Sequence, residues 1–183
     1  MRVTRRPRSP SLGRVQQVEI VQLLVSGVHR FEGRPRDGAP ELPDAELVQT
    51  VRVRAGLGVV GDRHFNRPAH REASITLMTA ERFPEGLGGT ADLRRTRRNI
   101  LLSGVDVEAH LGATVSLDSG TGPVLLAVRS AARPCAWMDT MFGPGAQRAL
   151  RGRAGVRCRP LSDGTLTLGP AVFTVVEPAP VKG

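Results

Sequence analysis

The chain has 183 residues, 40% of them apolar and only 3% aromatic, with 26 Lys and Arg against 17 Asp and Glu for a formal net charge of +9. That length supports one well-buried domain and is short for two. No apolar run approaches the roughly 18 residues of a membrane span, and the basic start has no apolar segment behind it, so neither a membrane anchor nor a secretory signal is expected.

Arg2, Arg5, Arg6, Arg8 and Arg14 supply more than half of the net charge, with no acid among residues 1–14. This stretch is rich in Arg, Pro and Ser, lacks apolar periodicity and is predicted to be a disordered basic tail. With no Tyr, one Trp and five Phe, the chain lacks the aromatic platforms that single-strand binders add to their basic grooves, so nucleic acid is disfavoured as a partner. Val15–Val28 combines β-branched residues with partial alternation and predicts a strand. Residues 30–46 form a loop punctuated by Gly and Pro. Val48, Val51 and Val53 predict a second strand, which runs into a turn carrying Gly56, Gly58 and Gly61, with Asp62, Arg63 and His64 at its exit. No helical pattern follows, so the turn is not a dinucleotide fingerprint. Its glycines permit a tight bend or close approach to a ligand, while the ordinary role of charges such as Asp62 and Arg63 in a turn is to cap backbone groups or face water.

Ser74–Met78 predicts a short strand and Thr79–Phe83 a helical turn ended by Pro84 and Gly86. Arg94, Arg95, Arg97 and Arg98 then enter an apolar strand beginning near Asn99. Strand alternation would put Arg97 and Asn99 on one face and Arg98 on the other. Such a run is commonly a solvated face, but at a strand start its forked donors suit a phosphate or other anion. Val105–Gly112 predicts a short helix stopped by Gly112. Strands at 114–118 and 123–130 follow, joined by a Gly-rich hairpin loop. Beyond Pro134 come a short helix at 146–150, a strand entered through residues 151–158, a hairpin signal at Asp163–Gly164, and closing strands at 165–168 and 171–176. Many short strands with few short helices predict a mostly β fold, a closed or nearly closed barrel.

Two cysteines, Cys135 and Cys158, are too few for a disulfide framework and have no Cys-x-x-Cys spacing, which fits a reducing, cytoplasmic setting. Pro134 is favoured in a first helical turn, placing Cys135 near a helix start and beside Arg133. Both surroundings favour a thiolate, a better nucleophile and a better ligand for a soft metal. Buried and inert is the ordinary state of a free cysteine, and Cys158, among strand residues, is assigned to it. Zinc held by Cys135, Cys158, His64 and His70 lacks any helical or knuckle spacing. The only lysine is Lys182, next to the C-terminus, so a pyridoxal-phosphate Schiff base is not expected.

Taken together, Gly58–His64, Arg97-Arg98-Asn99-Ile100 leading to Gly104-Val105-Asp106, Leu111-Gly112, Cys135 with Met138, and Gly152–Arg157 resemble, in order, the motifs of the MOSC family, domains named for the C-terminal part of molybdenum cofactor sulfurase. The resemblance spans about residues 15–176 and is to the short, stand-alone bacterial type. It divides the chain into a tail (1–14), a MOSC domain (15–177) and a C-terminal tail (178–183). It implies a mostly β, MOSC-like β-barrel with short helices, whose characteristic cysteine, by position Cys135, either ligates molybdenum in a bound pterin cofactor or carries a persulfide. In molybdenum-binding members, such as the amidoxime-reducing enzymes, an Arg-Pro-Asn motif and a Gly…Asp-Arg motif help hold the pterin and its phosphate. Arg97 and Asn99 match the first, with Arg98 replacing the proline, and Arg63 matches the second.

The leading expectation is therefore a molybdopterin-binding oxidoreductase that reduces N-hydroxylated or related small substrates, with Cys135 as metal ligand and Asp62, Arg63, Arg97, Arg98 and Asn99 at the cofactor. Electrons would come from a separate donor protein, because the chain shows no flavin or iron–sulfur ligand set. The alternatives are a sulfur carrier served by a cysteine desulfurase, and a non-catalytic anion- or nucleic-acid-binding β domain using Arg94–Arg98.

Overall fold

A computed structural model describes residues 12–176. The tail at 178–183 and most of the one at 1–14 lie outside them, and the first strand begins at Leu12 rather than Val15. Among the described residues ten strands form: β1 (Leu12–Leu23), β2 (Thr50–Arg54), β3 (Gly58–Val59), β4 (Ile75–Thr79), β5 (Ile100–Ser103), β6 (Thr114–Asp118), β7 (Val124–Ala131), β8 (Val156–Pro160), β9 (Gly164–Thr167) and β10 (Gly169–Val176). Seven of them close a barrel in the order β1-β10-β6-β7-β8-β4-β5, while β3-β2-β9 make a separate small sheet. Closure removes the free edges that an open sheet would expose.

Alternation decides which side chains fill the barrel. Ile20, Leu77, Leu102, Leu117, Leu126 and Phe173 are almost completely buried in one continuous core. The barrel's one parallel pair, β4 with β5, needs a long crossover, and residues 80–99 supply it. That crossover contains a helix absent from the sequence reading, α1 (Leu93–Thr96), whose start is capped by Asp92 accepting from the Arg94 N–H at 2.8 Å. Two further short helices, α2 (Trp137–Phe142) and α3 (Ala146–Ala149), follow β7. The helices pack a second apolar cluster, with Leu93, Trp137, Met138 and Phe142, over Met78 and Leu101.

Three expectations are corrected. Thr79–Phe83 forms no helix: Thr79 ends β4, its hydroxyl donating to the Val105 carbonyl at 2.8 Å. Asp163–Gly164 closes no hairpin, because β9 leaves the barrel to pair with β2, and Asp163 accepts instead from the Ala55 N–H at 2.7 Å. Arg97 is not a strand residue. It ends α1 in the left-handed conformation (φ 58°), and β5 starts only at Ile100, so the expected alternation of Arg97 and Arg98 across a sheet does not apply.

Candidate functional site

Asp62 is the fixed point of the site. The turn after β3 buries its carboxylate completely, where it accepts from the His64 N–H and from Asn99 Nδ2, each at 3.0 Å. Arg63 lies across from it, Nη1 to Oδ2 3.7 Å. The Arg63 N–H donates to the Ser26 carbonyl at 2.7 Å and its Nη2 to the Arg97 carbonyl at 3.4 Å. These contacts join the turn to the segment that follows β1 and to the end of α1.

Asn99 has no free polar atom for a ligand. Its Oδ1 accepts from the Thr76 N–H (3.0 Å) and hydroxyl (2.9 Å), and its Nδ2 serves Asp62. Asn99 thus welds β4 to the Asp62 turn. Replacing it with alanine leaves a buried carboxylate short of a donor, and Asn99→Ala is expected to lower unfolding free energy by about 1–3 kcal/mol in a urea titration.

Arg97 is 4% exposed. Its backbone N–H donates to the Leu93 carbonyl at 2.7 Å, and its guanidinium is fixed by a 2.5 Å ion pair from Nη1 to Glu46 Oε2, a partner in the 30–46 loop that sequence patterning did not single out. Glu46 also accepts from the Ser26 hydroxyl (2.6 Å) and Arg30 Nε (2.9 Å). Burial works against this carboxylate, yet the hydrogen bonds from Arg97, Ser26 and Arg30 hold its pKa at about 2.

A cavity of about 480 Å³ opens beyond this frame, with Arg63, Arg97, Arg98 and Cys135 among its lining residues. Asp62 and Asn99 do not line it and stand behind Arg63. The volume suits a small organic ligand. Phe31 and Trp137, stacked with centroids 5.2 Å apart, give it one flat aromatic wall. The five-residue arginine run is divided. Arg97 and Arg98 face the cavity, whereas Arg94 pairs with Asp44 and Asp92, and Arg95 lies over the Phe142 ring and donates to the Gly88 carbonyl.

Among the described residues, Arg63 Nη1 and Arg97 Nε and Nη2, of two arginines that line the cavity, are buried and have no hydrogen-bond partner. Buried guanidinium donors left unpaired cost free energy that an anion with several oxygen acceptors recovers. Arg98 is held by its Nε donating to the Ala154 carbonyl at 2.8 Å. Burial, with Arg157 and Arg63 nearby, draws its pKa down to about 10, while Cys135 and Glu108 act in the opposite direction. Burial and the Arg63 charge also draw His64 down to about 4, so this imidazole, 4.3 Å from the His70 ring, is neutral at physiological pH.

The two thiols occupy opposite environments. Cys135 is exposed on the loop between β7 and α2, one residue before the Ala136 cap, and its carbonyl accepts from the Met138 N–H at 2.9 Å. Cys158 is sealed inside the barrel on β8, where burial pushes its thiol up to about 12. Among the described residues no group of three or more His, Cys, Asp or Glu is placed to hold a metal ion, so the zinc set of Cys135, Cys158, His64 and His70 does not assemble. No helix among them is long and apolar enough to cross a membrane.

The sequence matches no protein-family model and no curated protein. Its fold matches solved structures. YuaD from Bacillus subtilis superimposes with a TM-score of 0.67 at 14% identity, covering 90% of this chain and 99% of that one. YiiM from Geobacillus stearothermophilus gives 0.55 at 18% identity, over 87% of this chain and 75% of the other. YiiM from Escherichia coli gives 0.54 at 13% identity, over 91% and 71%. The chain is thus a mostly β, MOSC-like β-barrel with short helices.

Proposed function

We propose that this chain is a MOSC-type domain that binds a molybdenum–pterin cofactor, with the Cys135 thiolate as a metal ligand and Arg63, Arg97 and Arg98 holding the cofactor's phosphate. One observation carries the reading: a solvent-reachable thiol shares a cavity of about 480 Å³ with guanidiniums whose buried donors lack partners. A soft sulfur donor suits molybdenum, and forked cationic donors suit a phosphate. When bound, the cofactor would supply two-electron oxygen-atom chemistry for reducing N-hydroxylated or related small substrates. The protein's part is to bind and orient. The Asp62–Asn99–Thr76 network fixes Arg63, Glu46 fixes Arg97, and the Phe31–Trp137 wall shields one side from water. Electrons would come from a separate redox protein.

Exposure of Cys135 also supports a second reading, a sulfur carrier whose thiolate accepts a sulfane sulfur from the persulfide of a cysteine desulfurase. The two readings separate in one preparation. Protein from a cofactor-competent host is expected to hold about one molybdenum and one pterin per chain, and Cys135→Ser to lose most of the metal. A mass gain of one sulfur on Cys135 with no pterin would favour the carrier, and no molybdenum in wild type would end the first reading.

A further inference from the structure

Five arginines line the cavity: Arg63, Arg97, Arg98, Arg133 and Arg157. Among the described residues only two of them have a carboxylate partner, Arg63 with Asp62 and Arg97 with Glu46, and Glu46 is shared with Arg30. Among the described residues Arg98, Arg133 and Arg157 make no ion pair. The surplus is arranged by depth. The Arg63 and Arg97 side chains are 14% and 4% exposed, whereas Arg133 and Arg157 are exposed.

Both outer arginines line the cavity that Cys135 lines. Arg133 precedes Cys135 by one proline on the same loop, and the Arg133 carbonyl accepts from Arg98 Nη2 at 3.5 Å. Arg157 on β8 sits in register with Thr76 of β4 and Ser130 of β7, and Thr76 lines the same cavity. Like charges gathered at a mouth without counter-charges repel one another, a cost that an arriving anion removes.

The geometry points to a second anion subsite: Arg133 and Arg157, the exposed arginines of the cavity that Cys135 also lines, bind a carboxylate or phosphate carried by the substrate, which is therefore an anionic small molecule. This rests on the cofactor reading, since the deeper guanidiniums are left for the cofactor's own phosphate.

Alkylation of Cys135 in the full-length, cofactor-free chain tests the subsite without any turnover. The sulfur displaces iodide, an S–C bond replacing C–I while the thiol proton passes to buffer, and the Cys158 thiol, sealed in the barrel, stays silent. Relative to free cysteine, wild type is expected to favour anionic iodoacetate over neutral iodoacetamide by roughly tenfold. Inorganic phosphate should protect it, and Arg133→Gln/Arg157→Gln should lose most of that preference while holding as much molybdenum as wild type when loaded. With reduced methyl viologen as electron source, loaded wild type should show a KM several-fold lower for 4-carboxy-N-hydroxybenzamidine than for N-hydroxybenzamidine. In that reaction the N–O bond takes two electrons and two protons and releases water. An alkylation preference unchanged by the double variant overturns the subsite. Loss of molybdenum in parallel with the preference, or equal KM values, overturns its assignment to substrate. Wild type without molybdenum but with the preference intact would remove the cofactor reading and keep the anion subsite.

Discussion

Gly155→Ala is expected to be the most damaging single substitution among the glycines of this fold, lowering unfolding free energy by more than about 4 kcal/mol or abolishing the cooperative transition. A Cβ at this position would lie 2.1 Å from the Leu77 carbonyl oxygen and 3.1 Å from Met78 Cα. Both are backbone atoms of β4, held between β5 and β8 in the closed barrel, so no flexible side chain can yield. The residue's φ of +88° adds strain for any L side chain. Gly155 also touches the site: its carbonyl accepts from the Ala132 N–H at 2.8 Å, tethering the segment that leads to Cys135. Its N–H donates to Glu108 at 2.8 Å, and Arg98 is anchored on the adjacent Ala154 carbonyl. Gly112→Ala is the control, with a comparable φ of +84° but open space around its Cβ. It should cost only about 1 kcal/mol, the backbone share alone. Urea unfolding of both variants separates the steric clash from the conformational cost.

Glu46→Gln is expected to lower unfolding free energy by about 3 kcal/mol at neutral pH, because it leaves the Arg97 guanidinium buried without a counter-charge. Arg97 has little alternative, since its Nε and Nη2 already lack partners among the described residues. The pH dependence gives the sign. With its folded pKa held near 2, below the ordinary 4.5, Glu46 contributes stability in full above about pH 4.5 and loses it as pH falls toward 2. The gap between wild type and Glu46→Gln should therefore be widest at pH 7 and shrink below pH 4.5. In a double-mutant cycle, Arg97→Gln added to Glu46→Gln should cost much less than it does in wild type.

Local patterning made the barrel legible strand by strand, and pairing was where it stopped. Alternation in 114–118 and 124–131 is a property of a few adjacent residues, so β6, β7 and their hairpin could be read directly. The departure of β9 to pair with β2 depends on residues more than a hundred positions apart and leaves no local trace. Arg97 shows a subtler failure. The Asp92 cap of α1 was present in the sequence, but a four-residue helix has too few positions to display a period, so the turn that brings Arg97 and Arg98 to one cavity was read as a strand entrance.

The site was legible where chemistry is local. Pro134 and Arg133 drew attention to Cys135, although Pro134 stands two residues before the Ala136 cap of α2 rather than in a first helical turn, and the glycine turn marked Asp62 and Arg63. The partners that fix the site came from elsewhere in the chain. Glu46 lies in a loop with no motif, Thr76 is an ordinary strand residue, and the His64–His70 contact and the position of Arg157 exist only after folding. Asn99 was singled out because, with Arg97, it matches the family's Arg-Pro-Asn motif, while its side chain is spent on Thr76 and Asp62.

Molybdenum X-ray absorption of the loaded full-length protein bears most directly on the proposed metal centre. Wild type should show a sulfur scatterer bonded to the metal beyond those the pterin supplies, and Cys135→Ser, in whatever fraction retains metal, should lack that one shell while the pterin sulfurs persist. An identical sulfur shell in the two proteins would contradict ligation by Cys135.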